Sequence, residues 1–333
     1  MSDFQAQKQV VLDFYRNLDA PGSDSPQRAF DQFTHPDLIW RGFCPFDLMT
    51  GDAAVTKFWH PFRRSFTAVQ RRMDIFFAGE NEIDGQASVW VASMGHLLGL
   101  FDAPWLGIRP TGKMAMLRYA EFHRVEAGKI TETAFYFDIP HLMVQAGQNP
   151  FGPQTAQHMV QPGPLTHDGL LLGAQDPANG AKTLAAINAM VTDLGTWKLG
   201  LPIEEELSRT WHDDMIWWGP EGIGSTFTIE RYAKQHAGPF RAAFTDRAQT
   251  KHICRMAEGD YGGFFGWPNF TARHTGGFMG MPATDTPGAF RVIDMYRRSG
   301  DKLAENWVFI DLLYFWKSQG VDILGRATNG PLG

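Results

Sequence analysis

His35-Pro-Asp-Leu-Ile-Trp-Arg-Gly42 returns in the same chain as His212-Asp-Asp-Met-Ile-Trp-Trp-Gly219, and these stretches open a longer agreement. Pro61-Phe62-Arg63 and Phe66 recur as Pro239-Phe240-Arg241 and Phe244, at an offset of 178, and His96 recurs as His274 at the same offset. Beyond it the offset is 173, pairing Gly107 with Gly280, Thr111 with Thr284, Glu121 with Asp294, Glu132 with Glu305, Asp138 with Asp311 and Gly147 with Gly320. A single length change of five residues, expected between His96 and Gly107, accounts for the drop. So long a period means a duplicated globular domain, not a stacked array of short units. One chain thereby becomes a comparison of two copies.

The 333 residues suffice for two domains, each with its own core. Charged residues make up 20% of the chain, the net charge is -6, and like charges do not cluster, which argues against a nucleic-acid or anionic-membrane partner. The start, Met-Ser-Asp-Phe-Gln, is not a basic segment followed by an apolar one, and no long apolar run occurs elsewhere, so the expected location is cytoplasmic. Cys44 and Cys254 occupy unmatched repeat positions without metal-ligand spacing and are expected to be reduced thiols. The 26 Phe and 11 Trp residues predict interiors or pockets walled by aromatic rings.

Val10, Val11, Phe14, Tyr15 and Leu18 at helical spacing open the first copy, and Leu184, Ile187, Met190, Val191 and Leu194 open the second. A short second helix is expected near Gln27 to Phe33 and Ile203 to Trp211, and a first strand at Asp37 to Arg41 and Asp214 to Trp218. A third helix is expected near Asp52 to Phe66 and Thr228 to Phe244, where Pro61 and Pro239 bend or end it. Strands follow, the last two as hairpins across Glu126-Ala-Gly-Lys129 and Arg298-Ser-Gly-Asp301, and each copy closes on a helix stopped by Gly147 or Gly320. Helices before strands predict an α+β domain in which a curved antiparallel sheet wraps around helices. The domains are placed at 1–147 and 182–328, with a Pro- and Gly-rich linker at 148–181.

The chemistry is sought where a strand runs into the closing helix: Gly128-Lys-Ile-Thr-Glu132-Thr-Ala-Phe-Tyr-Phe-Asp138, and its twin Asp301-Lys-Leu-Ala-Glu305-Asn-Trp-Val-Phe-Ile-Asp311. Alternation sets Glu132, Ala134, Tyr136 and Asp138 on one face, and Glu305, Trp307, Phe309 and Asp311 on its counterpart. An aspartate there is either a general base whose pKa burial raises, or the N-cap of the next helix, which lowers it. His96 and His274 introduce Gly-containing loops and are either proton shuttles or hydrogen-bonded edge residues. His35 and His212, Trp40 and Trp217, and Tyr119, Tyr136 and Trp307 complete the candidates for a pocket wall. His-x-His and Cys-x-x-Cys pairs, a Gly-rich phosphate loop and a Gly-x-Ser-x-Gly elbow are missing, so the expected chemistry uses neither metal nor cofactor.

The first copy contains Gly95-His96-x-x-Gly99, Arg109-Pro-Thr-Gly-Lys113, Gly128-Lys-Ile-x-Glu132 and Asp138-x-x-x-Leu-x-x-Gln-x-Gly147. The second contains Arg273-His274-Thr-Gly276, Gly280-Met-Pro282-Ala-Thr284, Glu305-x-Trp307, Asp311 to Gly320 and Ala243-Phe244-Thr-Asp246. In these motifs the chain resembles the SnoaL-like polyketide cyclases, a branch of the nuclear transport factor 2-like, or ketosteroid isomerase-like, superfamily. The resemblance implies two tandem cone-shaped α+β barrels, each with a hydrophobic pocket, paired as an intramolecular pseudo-dimer with or without a further homodimer. It implies that Asp138, and Asp311 if the second copy is active, is the acid/base of an intramolecular aldol closure. His96 or His274 would shape or polarise the site. The expected function is a cofactor-independent acid–base enzyme that cyclises, isomerises or dehydrates an apolar carbonyl compound, or else a non-catalytic binder of a small apolar molecule. Repeat one keeps Pro-Thr-Gly-Lys where repeat two reads Pro-Ala-Thr-Asp, so repeat one is the expected working copy.

Overall fold

Apolar periodicity sets the first element: the helix Gln5–Leu18 buries Val11, Phe14, Tyr15 and Leu18 on one side. The computed structural model describes residues 3–196 and 201–328. After the helix Ser25–Phe33 come β1 (Thr34–Gly42) and β2 (Asp47–Thr50). The third helical stretch, 51–65, has a π turn at Val55–Trp59, in which the His60 N–H reaches back to the Val55 carbonyl. Pro61 follows at once, inside His60–Ser65. Proline has no N–H for the helical ladder and crowds the preceding turn; a wider turn relieves that collision, so the helix continues through Pro61.

Four long strands complete the first sheet: β3 (Phe66–Glu80), β4 (Val89–Phe101), β5 (Met114–Glu126) and β6 (Lys129–Phe137). Their order is β2-β1-β6-β5-β4-β3. The pairs are antiparallel except β1 with β6, which is parallel, so the sheet is mixed and not wholly antiparallel. Hairpins force neighbours to alternate in direction, but β1 and β6 are joined by most of the domain, and nothing forces them to oppose.

The second half starts with the helices Pro177–Thr196 and Ile203–Ser208, then β7 (Trp211–Trp218) and β8 (Thr226–Phe227). Its helical stretch 229–243 repeats the π turn, at Ala233–Ala237, ahead of Pro239. The strands are β9 (Phe244–Gln249), β10 (His252–Glu258), β11 (Tyr261–Gly266), β12 (Phe270–His274), β13 (Pro287–Phe290), β14 (Val292–Ser299) and β15 (Lys302–Ile310). They form a six-stranded sheet, β10-β11-β14-β15-β7-β8, and a three-stranded one, β13-β12-β9. Where the first domain has unbroken β3, β4 and β5, the second breaks each in two. Here too the first and last strands, β7 and β15, run parallel.

Strand register corrects one repeat pairing. Phe66 faces Phe101 and Phe244 faces His274, so His274 stands where Phe101 does. Arg71 faces Leu97 as Gln249 faces Phe270, so Asn269, not His274, holds the place of His96. The main length change lies in a hairpin: β3 and β4 are joined by residues 81–88, whereas Gly259 and Asp260 suffice between β10 and β11. Gly95 is explained by packing, since a Cβ there would lie 1.9 Å from the Arg72 carbonyl oxygen, beside the register shift at Met73.

The chain divides into two units, one of Met1–Pro150, Thr166–Ala174 and Asp322–Gly333, the other of Phe151–Leu165 and Gln175–Val321. The expected linker 148–181 is thus shared between them. In the first unit the Leu171 N–H donates to the Phe76 carbonyl, and in the second Trp307 Nε1 donates to the Pro162 carbonyl. No described helix is long and apolar enough to cross a membrane.

Candidate functional site

The second domain encloses a cavity of about 150 Å³. Met190, Val191 and Leu194 contribute from the opening helix, Trp217 from β7, and Tyr232, His236, Ala237 and Phe240 from the helical stretch 229–243. Arg247 and Gln249 come from β9, Asp294 and Tyr296 from β14, and Asn306, Val308 and Ile310 from β15, with Asn269 and Phe270 at the start of β12. A cavity of this size holds a benzene-sized body.

Alternation puts Asp294 and Tyr296 on the same face of β14. Asn306 Nδ2 donates to Asp294 Oδ1 at 3.3 Å. Burial pushes the Asp294 carboxyl up to about 7, against the hydrogen bonds from Asn306 and Tyr296, which favour its ionised form. The imidazoles nearby are silent at neutral pH. His236 lies flat on Trp217, ring centroids 4.0 Å apart, and burial lowers it to about 3. His252 stacks on Phe264 at 4.1 Å and is lowered to about 3 by burial and the Arg255 and Arg247 cations. Burial and the Asp294 charge hold the Tyr232 and Tyr296 hydroxyls above their ordinary value, so both stay protonated donors. Asp294 is therefore the cavity's group poised to change charge near neutrality.

Two cations border the same space. Arg241 grips Glu206 with two hydrogen bonds, at 2.6 and 3.1 Å. Arg247 donates to the Leu194 carbonyl at 2.6 Å and lies 4.7 Å from the Phe270 ring centroid. Burial and the neighbouring Arg241 cation bring Arg247 down to about 10.

Comparing the copies shows why the cavity is in the second. At matched positions the first domain has Tyr15, Trp59, Arg71, Tyr119 and Phe135, and the second has Val191, Ala237, Gln249, Val292 and Val308. The larger set fills its own interior. Arg71 pairs with Asp19 and Glu121, each at 2.8 Å, its guanidinium lies 3.9 Å from the Tyr15 ring centroid, and Trp59 stacks on Phe135 at 5.5 Å. Glu121 occupies the Asp294 position, yet behaves oppositely: burial pushes it up, but Arg71, His123 and Tyr15 outweigh burial and hold it below its ordinary value.

The residues singled out from sequence are dispersed. Asp138 accepts from the His141 N–H at 3.1 Å and caps the helix Ile139–Gln145; Asp311 does the same for Tyr314 and the helix Leu312–Ser318. Asp311 is also 3.6 Å from Arg291. His96 Nδ1 lies 3.4 Å from the Asp74 carboxylate. His274 contacts Thr284 Oγ1 at 3.2 Å among the rings of Phe244, Phe315 and Trp316, and burial lowers its pKa. His35 is exposed and accepts from the Asp37 N–H, and His212 donates to the Ser299 carbonyl. Trp40, Tyr119 and Tyr136 belong to the first-domain core, Tyr136 stacked on Phe43 at 4.3 Å. Trp307 projects from the face of β15 opposite to Asn306 and Val308. Of these residues, Trp217 lines the cavity. Asp294 escaped the sequence reading, although an acid set among apolar neighbours in Val292-Ile-Asp294-Met-Tyr296 was its signal.

The family description SnoaL-like polyketide cyclase matches residues 197–317, and SnoaL-like domain matches residues 11–133. Similar solved structures include AclR from Streptomyces galilaeus, 22% identical, covering 42% of this chain and 96% of its own, with a TM-score of 0.34. IdmH from Streptomyces antibioticus is 19% identical, covering 42% and 99%, with a TM-score of 0.32. An NTF2-like protein from Burkholderia thailandensis is 21% identical, covering 42% and 95%, with a TM-score of 0.32. None of the curated proteins matches the chain. With a SnoaL-type match in each half, the chain belongs to the SnoaL-like family as a tandem pair of its domains.

Proposed function

We propose that the second domain is the working copy, an acid–base site of cyclase or isomerase type, in which Asp294 moves a proton on a small carbonyl compound. The observation that carries this reading is a carboxyl held at about 7 in a cavity of about 150 Å³. Such a group is a base in half of the molecules and an acid in the other half at neutral pH, which suits reversible proton transfer. The Asp294 carboxylate takes the proton from carbon next to a carbonyl, and the electron pair moves onto the carbonyl oxygen as an enolate. The Tyr296 hydroxyl is engaged by Asp294, and the Tyr232 hydroxyl, on the cavity wall, is the donor offered to that oxygen. The enolate carbon then attacks a second carbonyl of the same molecule, and the resulting alkoxide recovers the proton from Asp294; reprotonation at another carbon gives isomerisation instead. Proton transfer alone accomplishes either outcome. On this reading the acid–base role leaves Asp138 and Asp311, whose carboxylates cap helices, and the first domain serves as a filled partner.

Hydrogen–deuterium exchange at the α-carbon of a bound ketone, followed by NMR in D2O with 1-indanone as probe, tests the proposal. Wild type is expected to accelerate exchange, and Asp294→Asn to lose the acceleration while still binding the ketone. Equal exchange by the two proteins would remove Asp294 from the chemistry. Binding without exchange by either would favour a non-catalytic carrier.

A further inference from the structure

The donor side of the cavity says more about its ligand than the acid does. Asn269 is 5% exposed and locked in place. Its N–H donates to the Phe290 carbonyl at 2.8 Å, its carbonyl accepts from the Thr250 N–H at 3.0 Å, and its side-chain Oδ1 accepts from the Val292 N–H at 2.8 Å. These bonds fix the amide plane, and they leave Nδ2 as a buried donor without an acceptor in the protein. A buried donor left in that state destabilises the fold, so it is kept where something else completes it. Arg247 is the adjoining charge: its guanidinium lies over Phe270, the residue next to Asn269, and both Arg247 and Asn269 line the cavity.

We infer that the second-domain cavity selects a ligand carrying a carboxylate, which Arg247 and Asn269 Nδ2 hold at one end while the rest of the molecule lies along the apolar wall beside Asp294. This rests on the reading of that cavity as the ligand site, and it replaces a purely apolar ligand by an organic acid of about one ring. A carboxylate is the common group that accepts from a guanidinium and an amide together, and charge assistance makes such bonds roughly twice as strong as neutral ones. At the matched positions the first domain has Val69 and His96, neither an arginine nor an amide.

Calorimetric titration of the full chain with benzoate and with methyl benzoate at neutral pH tests the assignment. Both probes carry one ring, and they differ in charge. Benzoate is expected to bind at least about tenfold more tightly, a difference of about 1.4 kcal/mol. Arg247→Gln is expected to abolish that preference with methyl benzoate held within about twofold of its wild-type affinity. Asn269→Asp keeps the acceptor for the Val292 N–H, so the fold has its hydrogen bond, and replaces the donor by a repelling oxygen; benzoate binding is expected to fall while methyl benzoate binding persists. Methyl benzoate binding as tightly as benzoate, or either variant binding benzoate like wild type, overturns the carboxylate assignment and leaves the cavity standing. Binding of neither probe to wild type overturns the cavity as ligand site, and the proposed function with it.

Discussion

At the scale of single residues, the molecule turns on one carboxyl whose surroundings differ between two copies of one domain. If Asp294 transfers the proton, kcat/KM for a processed substrate rises with pH through an apparent value near 7, and Asp294→Asn lowers kcat by about 10²–10⁴. Its raised value also affects stability. An unfolded aspartate loses its proton near 3.9, whereas the folded chain keeps this one until about 7. Ionisation therefore favours the unfolded state across that window, and stability falls as pH rises, by up to about 1.4 kcal/mol per pH unit. His236 and His252, lowered to about 3, act in the other direction, since the unfolded imidazoles bind protons that the folded ones refuse. Subtracting the pH–stability curve of Asp294→Asn from that of wild type isolates the aspartate: the difference should become steadily more negative between pH 4 and 7. A flat difference curve would mean that Asp294 titrates normally.

At the scale of elements, the two aspartates that the motifs pointed to belong to helix ends. Asp138→Ala and Asp311→Ala are each expected to cost at least about 1–2 kcal/mol in urea denaturation, the loss of a capping bond together with the carboxylate facing Arg118 or Arg291. Turnover per folded molecule is expected to change little. The helices, the closing hairpins and the stops at Gly147 and Gly320 were legible in the sequence, because each depends on local periodicity and on residues adjacent in the chain. The parallel pairing of β1 with β6 was not, since it joins strands with most of a domain between them. Nor was the face of β15 that meets the cavity. Alternation fixes that Trp307 and Asn306 point to opposite sides, and only the position of the helices decides which side is inner. The identity of His96 with His274 failed for a similar reason: equal letters at an equal offset were a coincidence once the hairpin after β3 had changed length.

At the scale of the whole molecule, five positions that border the cavity in the second copy carry larger side chains in the first. Trp59→Ala should hollow the first domain and cost about 3–5 kcal/mol, seen as a lowered midpoint of its unfolding transition. Ala237→Trp places the corresponding ring in the second-domain cavity and is expected to abolish ligand binding with far smaller loss of stability, because space is already there. Unchanged ligand affinity in Ala237→Trp would show that the ligand lies elsewhere. The duplication was evident from sequence alone, but the unequal fates of its copies were not, because motif content favoured the first and the residues that empty the second lie between the motifs. The π turn ahead of Pro61 and Pro239 belongs to a different layer of history. It is shared by two helical stretches, 51–65 and 229–243, that otherwise agree chiefly in Pro-Phe-Arg. A feature present in both descendants was present in the parent gene, so the wide turn is older than the copying event, and Trp59 against Ala237, set within that turn, marks divergence that came after it.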